Sequence, residues 1–292
     1  MDHLLKADIA EDVKEKELIL RAINGSRESL ETLLKAHQTF IYNIAWKFLY
    51  NPEDALDATQ EVLIKVIINL SKFNLKSKFR TWLYRITFNH LLDMKKRPME
   101  MLEFDAHQKT LESIPDEQMS VEEKLKMKNQ IKEVETGCMA GLLLCLEREE
   151  RLIYIIGAIF KVNHNLGAEL LNISKTNFRK KLSRARKSLN NFIDNKCSLI
   201  DKNNSCKCHK KTKGFIKNGY VDPDNFLFKK DYLKKVKDIT FEKGEKFDIK
   251  LADKCDELFA DQPYDPSIQD KDFFVNILKD HQWDEIFSVP VD

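Results

Sequence analysis

VNHNLGAELLNISKTNFRKKLSRARKSL, residues 162–189, is the stretch that decides how this chain is read. Val162, Leu166, Ala168, Leu170, Leu171 and Ile173 form one apolar group. Phe178, Leu182, Ala185 and Leu189 form a second, at the i, i+4, i+7, i+11 spacing of a single helix face. Asn172 falls between them, and Asn readily adopts the left-handed backbone that a tight turn between helices needs. Ser174 then supplies a side-chain oxygen for the open N–H groups of a new helix. The pattern is a helix-turn-helix. Its second helix carries Lys175, Arg179, Lys180, Lys181, Arg184, Arg186 and Lys187 with no acidic residue among them. A merely solvated helix mixes signs, because opposite charges four residues apart stabilise it. An unopposed row of cations instead matches duplex DNA, where each neutralised phosphate releases counterions. The helix start, with Lys175, Thr176, Asn177, Arg179 and Lys180, is placed for base edges in the major groove. Arg184, Arg186 and Lys187 are placed for phosphates.

Around this motif the chain is long enough, at 292 residues, for two small domains and a tail. Only 8 glycines and 7 prolines, with 42% hydrophobic and 33% charged residues, favour a highly charged all-α protein over a loop-rich β architecture. The net charge of +2 hides a segregation of acidic and basic residues along the chain. No apolar run approaches the roughly 18 residues of a membrane span, and the N-terminus lacks a signal peptide's apolar centre. A cytoplasmic protein with no membrane partner is expected, and its six cysteines are then thiols or metal ligands rather than a disulfide framework. Cys138 and Cys145 lie in an apolar helical stretch and read as core.

Upstream, residues 15–98 are helical almost without a break. Gly25 stops one helix and Ser26 caps the next, whose apolar face runs through Leu30, Leu33, Leu34, His37, Ile41, Ile44, Ala45 and Phe48. Asn51-Pro52-Glu53-Asp54 is a helix start: a capping side chain, proline in the first turn, and two carboxylates at the positive end of the dipole. On that helix Asp54, Asp57, Gln60, Glu61 and Lys65 share one face, either solvated or docking a protein. A further helix is expected from Phe79 to Lys96. There Trp82, Leu83 and Ile86 fit a core stripe, whereas Phe79, Tyr84 and Phe88 are harder to bury together. They interleave with Lys76, Lys78, Arg80, Arg85, Lys95, Lys96 and Arg97. Aromatic rings among cations suit unstacked bases.

Residues 99–136 are dominated by acids and read as a linker, partly flexible with a second half able to form helix, whose charge keeps it away from DNA. Apolar periodicity returns in 137–193, the unit containing the helix-turn-helix.

These segments together resemble a known family. Residues 18–67 followed by FRTWLYRITFNHLLDMKKR resemble region 2 of the sigma-70 family, in particular its extracytoplasmic-function (ECF) class. LEREERLIYIIGAIFKVNHNLGAELLNISKTNFRKKLSRARKSL resembles region 4 of the same family. The resemblance implies a non-enzymatic sigma factor with no catalytic residues. It would bind core RNA polymerase and direct promoter-specific initiation by recognising −10 and −35 elements. Asp54, Asp57, Gln60 and Glu61 would then dock on the polymerase. Lys76, Lys78, Arg80, Trp82, Tyr84, Arg85, Phe88, Asn89, Lys96 and Arg97 would capture and melt the −10 element as non-template single strand. The helix from Ser174 would read the −35 element as duplex, and an anti-sigma factor is a further expected partner. Gly167 departs from the family's usual Ile or Val, which predicts thinner packing in the first helix of the motif. The alternative is a helix-turn-helix regulator acting without core polymerase.

Residues 194–292 exceed a two-domain sigma and read as a small α or α+β extension. Cys197-x8-Cys206-x-Cys208-His209 supplies four candidate zinc ligands, yet its Cys-x-Cys-His spacing is poor for wrapping one ion. A redox-responsive thiol group or an inert cluster are the other readings. FLFKKDYLKKV, DELFADQPYDP and FFVNILKDHQWDEIF offer aromatic anchors for a protein surface. Nothing pairs a metal cluster with a general base, which argues against an enzyme.

Overall fold

The computed structural model describes residues 9–227 except Leu102 and Asn195; the three aromatic segments of the tail, apart from Phe226 and Leu227, lie outside the described residues. The described residues form helices and no strand, with one isolated bridge between Cys197 and Cys206. They fall into two compact units, 9–46 with 53–93, and 47–52 with 94–227.

The first unit is built from α1 (Ile9–Ile23), α2 (Arg27–Leu49), α3 (Pro52–Asn69) and α4 (Phe79–Asp93), the ends of α2 and α3 nearest residues 47–52 belonging to the second unit. Gly25 takes φ +89°, a left-handed turn that only glycine enters freely, and the Ser29 amide donates to Ser26 Oγ at 3.3 Å. Pro52 opens α3, where its missing N–H is no loss. The core is Leu33, Leu34, Ile41, Ile44, Val62, Leu63, Val66, Leu83 and Leu91.

The second unit places α5 (Phe104–Ser113), α6 (Val121–Lys126) and α7 (Lys128–Leu144) ahead of the helix-turn-helix. The acidic segment 99–136 is thus largely helical. α6 carries a capping box, Ser120 accepting from the Glu123 amide and Glu123 from the Ser120 amide. α7 crosses residue 136 into the apolar run because no Pro, Gly pair or cap stands there. α8 (Arg148–Tyr154) passes into a π-helical turn at Ile155–Ile159, then α9 (His164–Leu170) and α10 (Lys175–Ile193) follow, and α11 (Cys208–Lys217) lies in the extension. At the centre of this unit the Glu100 carboxylate, 1% exposed, receives Arg148 at 2.7 Å and Arg151 at 2.8 Å. Arg151 also donates to the carbonyls of Phe48, Leu144 and Leu146. Burial raises the Glu100 pKa, but the two guanidiniums and the Arg97 amide outweigh it and leave the carboxyl at about 2. Among the described residues no helix is long and apolar enough to cross a membrane.

Candidate nucleic-acid and polymerase interface

In the helix-turn-helix, local chemistry and structure coincide. Asn172 has φ +53°, and Ser174 Oγ accepts from the Asn177 amide at 3.1 Å. Asn163 caps the preceding α9 by accepting from the Asn165 and Leu166 amides. Phe178, Leu182, Ala185 and Leu189 are buried, so Lys175, Thr176, Arg179, Lys180, Arg184 and Lys187 are exposed on the other side of α10, with Asn177 and Arg186 half-buried. Two cations lean on the acids of α8: Lys181 pairs with Glu149, and Arg184 lies 3.9 Å from Glu150. The remaining surface at the start of α10 is basic.

Gly167 does not thin the packing. A Cβ built there would stand 2.5 Å from the Phe178 ring, and one at Gly157 would stand 3.2 Å from it. The ring occupies the volume a branched side chain would take, and it is fully buried. A large residue on the second helix replaces one on the first, a compensation across a turn that helix periodicity does not display.

The first unit alters the expected single-strand surface. Phe79, Tyr84 and Phe88 are core residues, 1%, 4% and 1% exposed. Tyr84 stacks on Phe40 at 4.1 Å and Phe79 packs on His37 and Phe73 at 5.5 and 5.6 Å. Burial drives the Tyr84 hydroxyl's pKa far up. The core stripe of α4 is therefore Phe79, Leu83, Tyr84, Thr87, Phe88 and Leu91, while Trp82 and Ile86 are half-buried at its edge. Both stripes satisfy the helical period, and the rings offered by α2 and by Phe73 choose between them. α4 also stops at Asp93, three residues before the expected Lys96. Lys76, Lys78, Asn89, Lys95 and Lys96 are exposed, and Trp82, Arg80 and Arg85 are half-buried. Arg97 turns inward to the Leu49 carbonyl, so it is not a free phosphate contact. Tyr84 and Phe88 leave the set of base-stacking candidates for the same reason, burial.

On α3, Asp57 and Glu61 are exposed and Asp54 and Gln60 half-buried, the four lying on one face as the spacing predicts. Lys65 Nζ lies 2.7 Å from His90 Nδ1, and Glu61 lies 3.6 Å from His90 Nε2. Burial and then the Lys65 charge lower the His90 pKa, against the opposing charges of Glu61 and Asp93.

Among the candidate zinc ligands the three cysteines lie near one another, and His209 is not among their neighbours. Among the described residues no group of three or more His, Cys, Asp or Glu side chains is placed to hold a metal ion. Adjacent helical positions diverge by about 100°, so Cys208 goes inward while His209 stands near Lys124, Lys207 and Lys210. Burial first, and then those charges, lower the pKa of its imidazole.

With this geometry in hand, comparison with known proteins is informative for the first unit. Residues 33–98 match the sigma-70 region 2 family model. The ECF RNA polymerase sigma factor SigW of Bacillus subtilis is 32% identical over 85 residues, which is 28% of this chain and 46% of that protein. This stretch of the chain is similar to sigma-70 region 2. The RNA polymerase sigma-H factor of Pseudomonas aeruginosa is likewise 32% identical over 89 residues, 29% of this chain and 46% of that protein. The sigma-70 match thus spans about half the length of these relatives, and it lies on region 2. A solved structure, that of CnrH in complex with the cytosolic domain of CnrY, aligns with a TM-score of 0.43 at 21% identity, covering 62% of this chain and 97% of that one. The region 2 match contains both α3, with its acidic face, and α4, with its cationic edge.

Proposed function

We propose that the protein is a sigma factor that binds core RNA polymerase and directs promoter-specific transcription initiation. The observation that carries this is the presence in one chain of a region 2 domain and a capped helix-turn-helix whose second helix is basic at its exposed start. Asp57 and Glu61, with Asp54 and Gln60, are the polymerase-docking residues. Trp82, with Lys76, Lys78, Arg80, Arg85, Asn89 and Lys96 about it, takes the −10 element as non-template single strand, one ring supplying the stacking. The start of α10 reads the −35 duplex. Core polymerase, promoter DNA and a separate anti-sigma protein are the partners of this reading, and no cofactor enters it.

The test is run-off transcription with core polymerase and a promoter library. The protein alone should bind promoter duplex weakly and should confer promoter-specific transcripts when core enzyme is added. Tight, polymerase-independent binding to palindromic sites would establish the stand-alone regulator instead.

A further inference from the structure

The proposed promoter and polymerase surfaces use none of the cysteines. The fold nevertheless holds two of them face to face. Cys197 and Cys206 are the partners of a parallel bridge, in which the Cys206 amide donates to the Lys196 carbonyl at 3.0 Å and the Ser198 amide to the Cys206 carbonyl at 3.1 Å. Residues so paired stand about one strand spacing apart, about 4.8 Å, with both Cβ atoms on one side. That falls inside the Cα separation of about 4.4–6.8 Å that a disulfide spans. The loop between them is itself braced. Asn204 Nδ2 donates to the carbonyls of Asp194 at 2.7 Å and Cys197 at 3.0 Å, and the Ile200 and Asp201 amides both return to the Cys197 carbonyl at 3.2 Å. The pairing thus rests on backbone contacts that do not need the sulfurs to be bonded.

Both thiols are free and half-buried. Burial raises the pKa of each; the Leu199 and Ile200 amides oppose that rise at Cys197, and the Lys211 charge opposes it at Cys206. Cys138 on α7 and Cys208 on α11 are near enough to feel the same charges, but no backbone bridge aligns them with a partner.

We propose that Cys197 and Cys206 are an oxidation-sensitive dithiol that closes to a disulfide under attack on a low-molecular-weight disulfide. The Cys206 thiol gives its proton to solvent, and the thiolate attacks one sulfur of the oxidant. A mixed disulfide forms, the oxidant's S–S bond breaks, and one thiolate leaves and takes up a proton. Cys197, deprotonated in turn, attacks Cys206 Sγ and expels the second thiol. The protein loses two protons and two electrons, and the oxidant becomes two thiols. The bond locks the segment joining α10 to α11, because the Cys197 amide donates to the Ile193 carbonyl at 2.9 Å at the end of α10, while Cys206 stands two residues before α11.

The experiment treats the full chain with oxidised glutathione under native conditions, alkylates the remaining thiols and maps them by mass spectrometry. The expected result is a Cys197–Cys206 peptide pair, two of the six thiols lost to alkylation, and full recovery on reduction. Trypsin cleavage after Lys202, exposed inside the loop, should then leave its fragments joined on a non-reducing gel. Cys197→Ser and Cys206→Ser should each abolish the cross-link with the chain still folded by circular dichroism. A Cys138–Cys208 or intermolecular link overturns the proposal. So does survival of all six thiols under conditions that oxidise the denatured chain.

Discussion

Glu100 anchors a buried charge network in the second unit. One carboxylate, 1% exposed, faces two guanidiniums that are 6% and 1% exposed, and all three are fixed by hydrogen bonds. Glu100→Gln removes the compensating charge and leaves Arg148 and Arg151 buried together. The expected loss is about 3–5 kcal/mol in urea unfolding, the usual cost of breaking a buried ion pair from one side. The pH sign follows from a folded pKa of about 2 against about 4.5 for an ordinary glutamate. The Glu100 contribution is fully present above about 4.5. It fades as pH falls towards the folded value, so thermal unfolding scans between pH 6 and pH 2 should show a declining midpoint that Glu100→Gln flattens. At Gly167 the expectation is equally local. Gly167→Ala drives a methyl into the Phe178 ring and should destabilise by about 1–3 kcal/mol. Adding Phe178→Leu should recover part of that loss, whereas an equal or greater loss in the double variant would refute the compensation.

At the scale of elements, the proposed function divides α10 into a reading end and a gripping end. Arg179→Ala should change which −35 sequences are preferred, whereas Lys187→Ala should weaken all sequences alike and reduce the salt slope by about one phosphate. Binding titrations on a −35 library at several salt concentrations separate the two, and identical profiles for the two variants would refute the division. Ser174→Ala should cost about 1 kcal/mol of helix stability without altering preference, since its oxygen serves the Asn177 amide. The phase of α4 is a different matter. Its aromatic and cationic residues are visible in the sequence, but a helix with apolar residues on most sides has two admissible core stripes. The rings of His37, Phe40 and Phe73 select the one containing Phe79 and Tyr84.

Across the whole molecule, the extension changes the meaning of the acidic segment. α11 packs against α7 and the residues before α6. The Glu117 amide donates to the Lys210 carbonyl at 2.9 Å, Lys211 reaches both the Ile114 carbonyl and Asp116, and Lys213 pairs with Glu123 at 2.8 Å. Gly214 allows this approach, since a Cβ there would stand 2.5 Å from Ile114 Cγ2. Gly214→Leu should therefore lift α11 and make residues 104–126 much more sensitive to limited proteolysis, with little change in the first unit's helix content. An unchanged digestion pattern would show that α11 is not what protects that segment.

Segment 99–136 and the start of the extension, 196–217, each look self-sufficient as sequence, one acidic and one lysine-rich. Their complementarity is non-local, across about 90 residues in the Lys213–Glu123 pair, and no periodicity reports it. The turn at Asn172, the caps at Ser26 and Ser174, the proline start of α3 and the exposed cations of α10 follow from the sequence by itself, because each rests on contacts within about one helical turn. The burial of Tyr84 and Phe88, the inward turn of Arg97, the Phe178 ring over Gly167 and the scattering of His209 from the cysteines were decided by tertiary structure alone. Each depends on which surface arrives from a distant part of the chain, and close packing leaves room for only one answer.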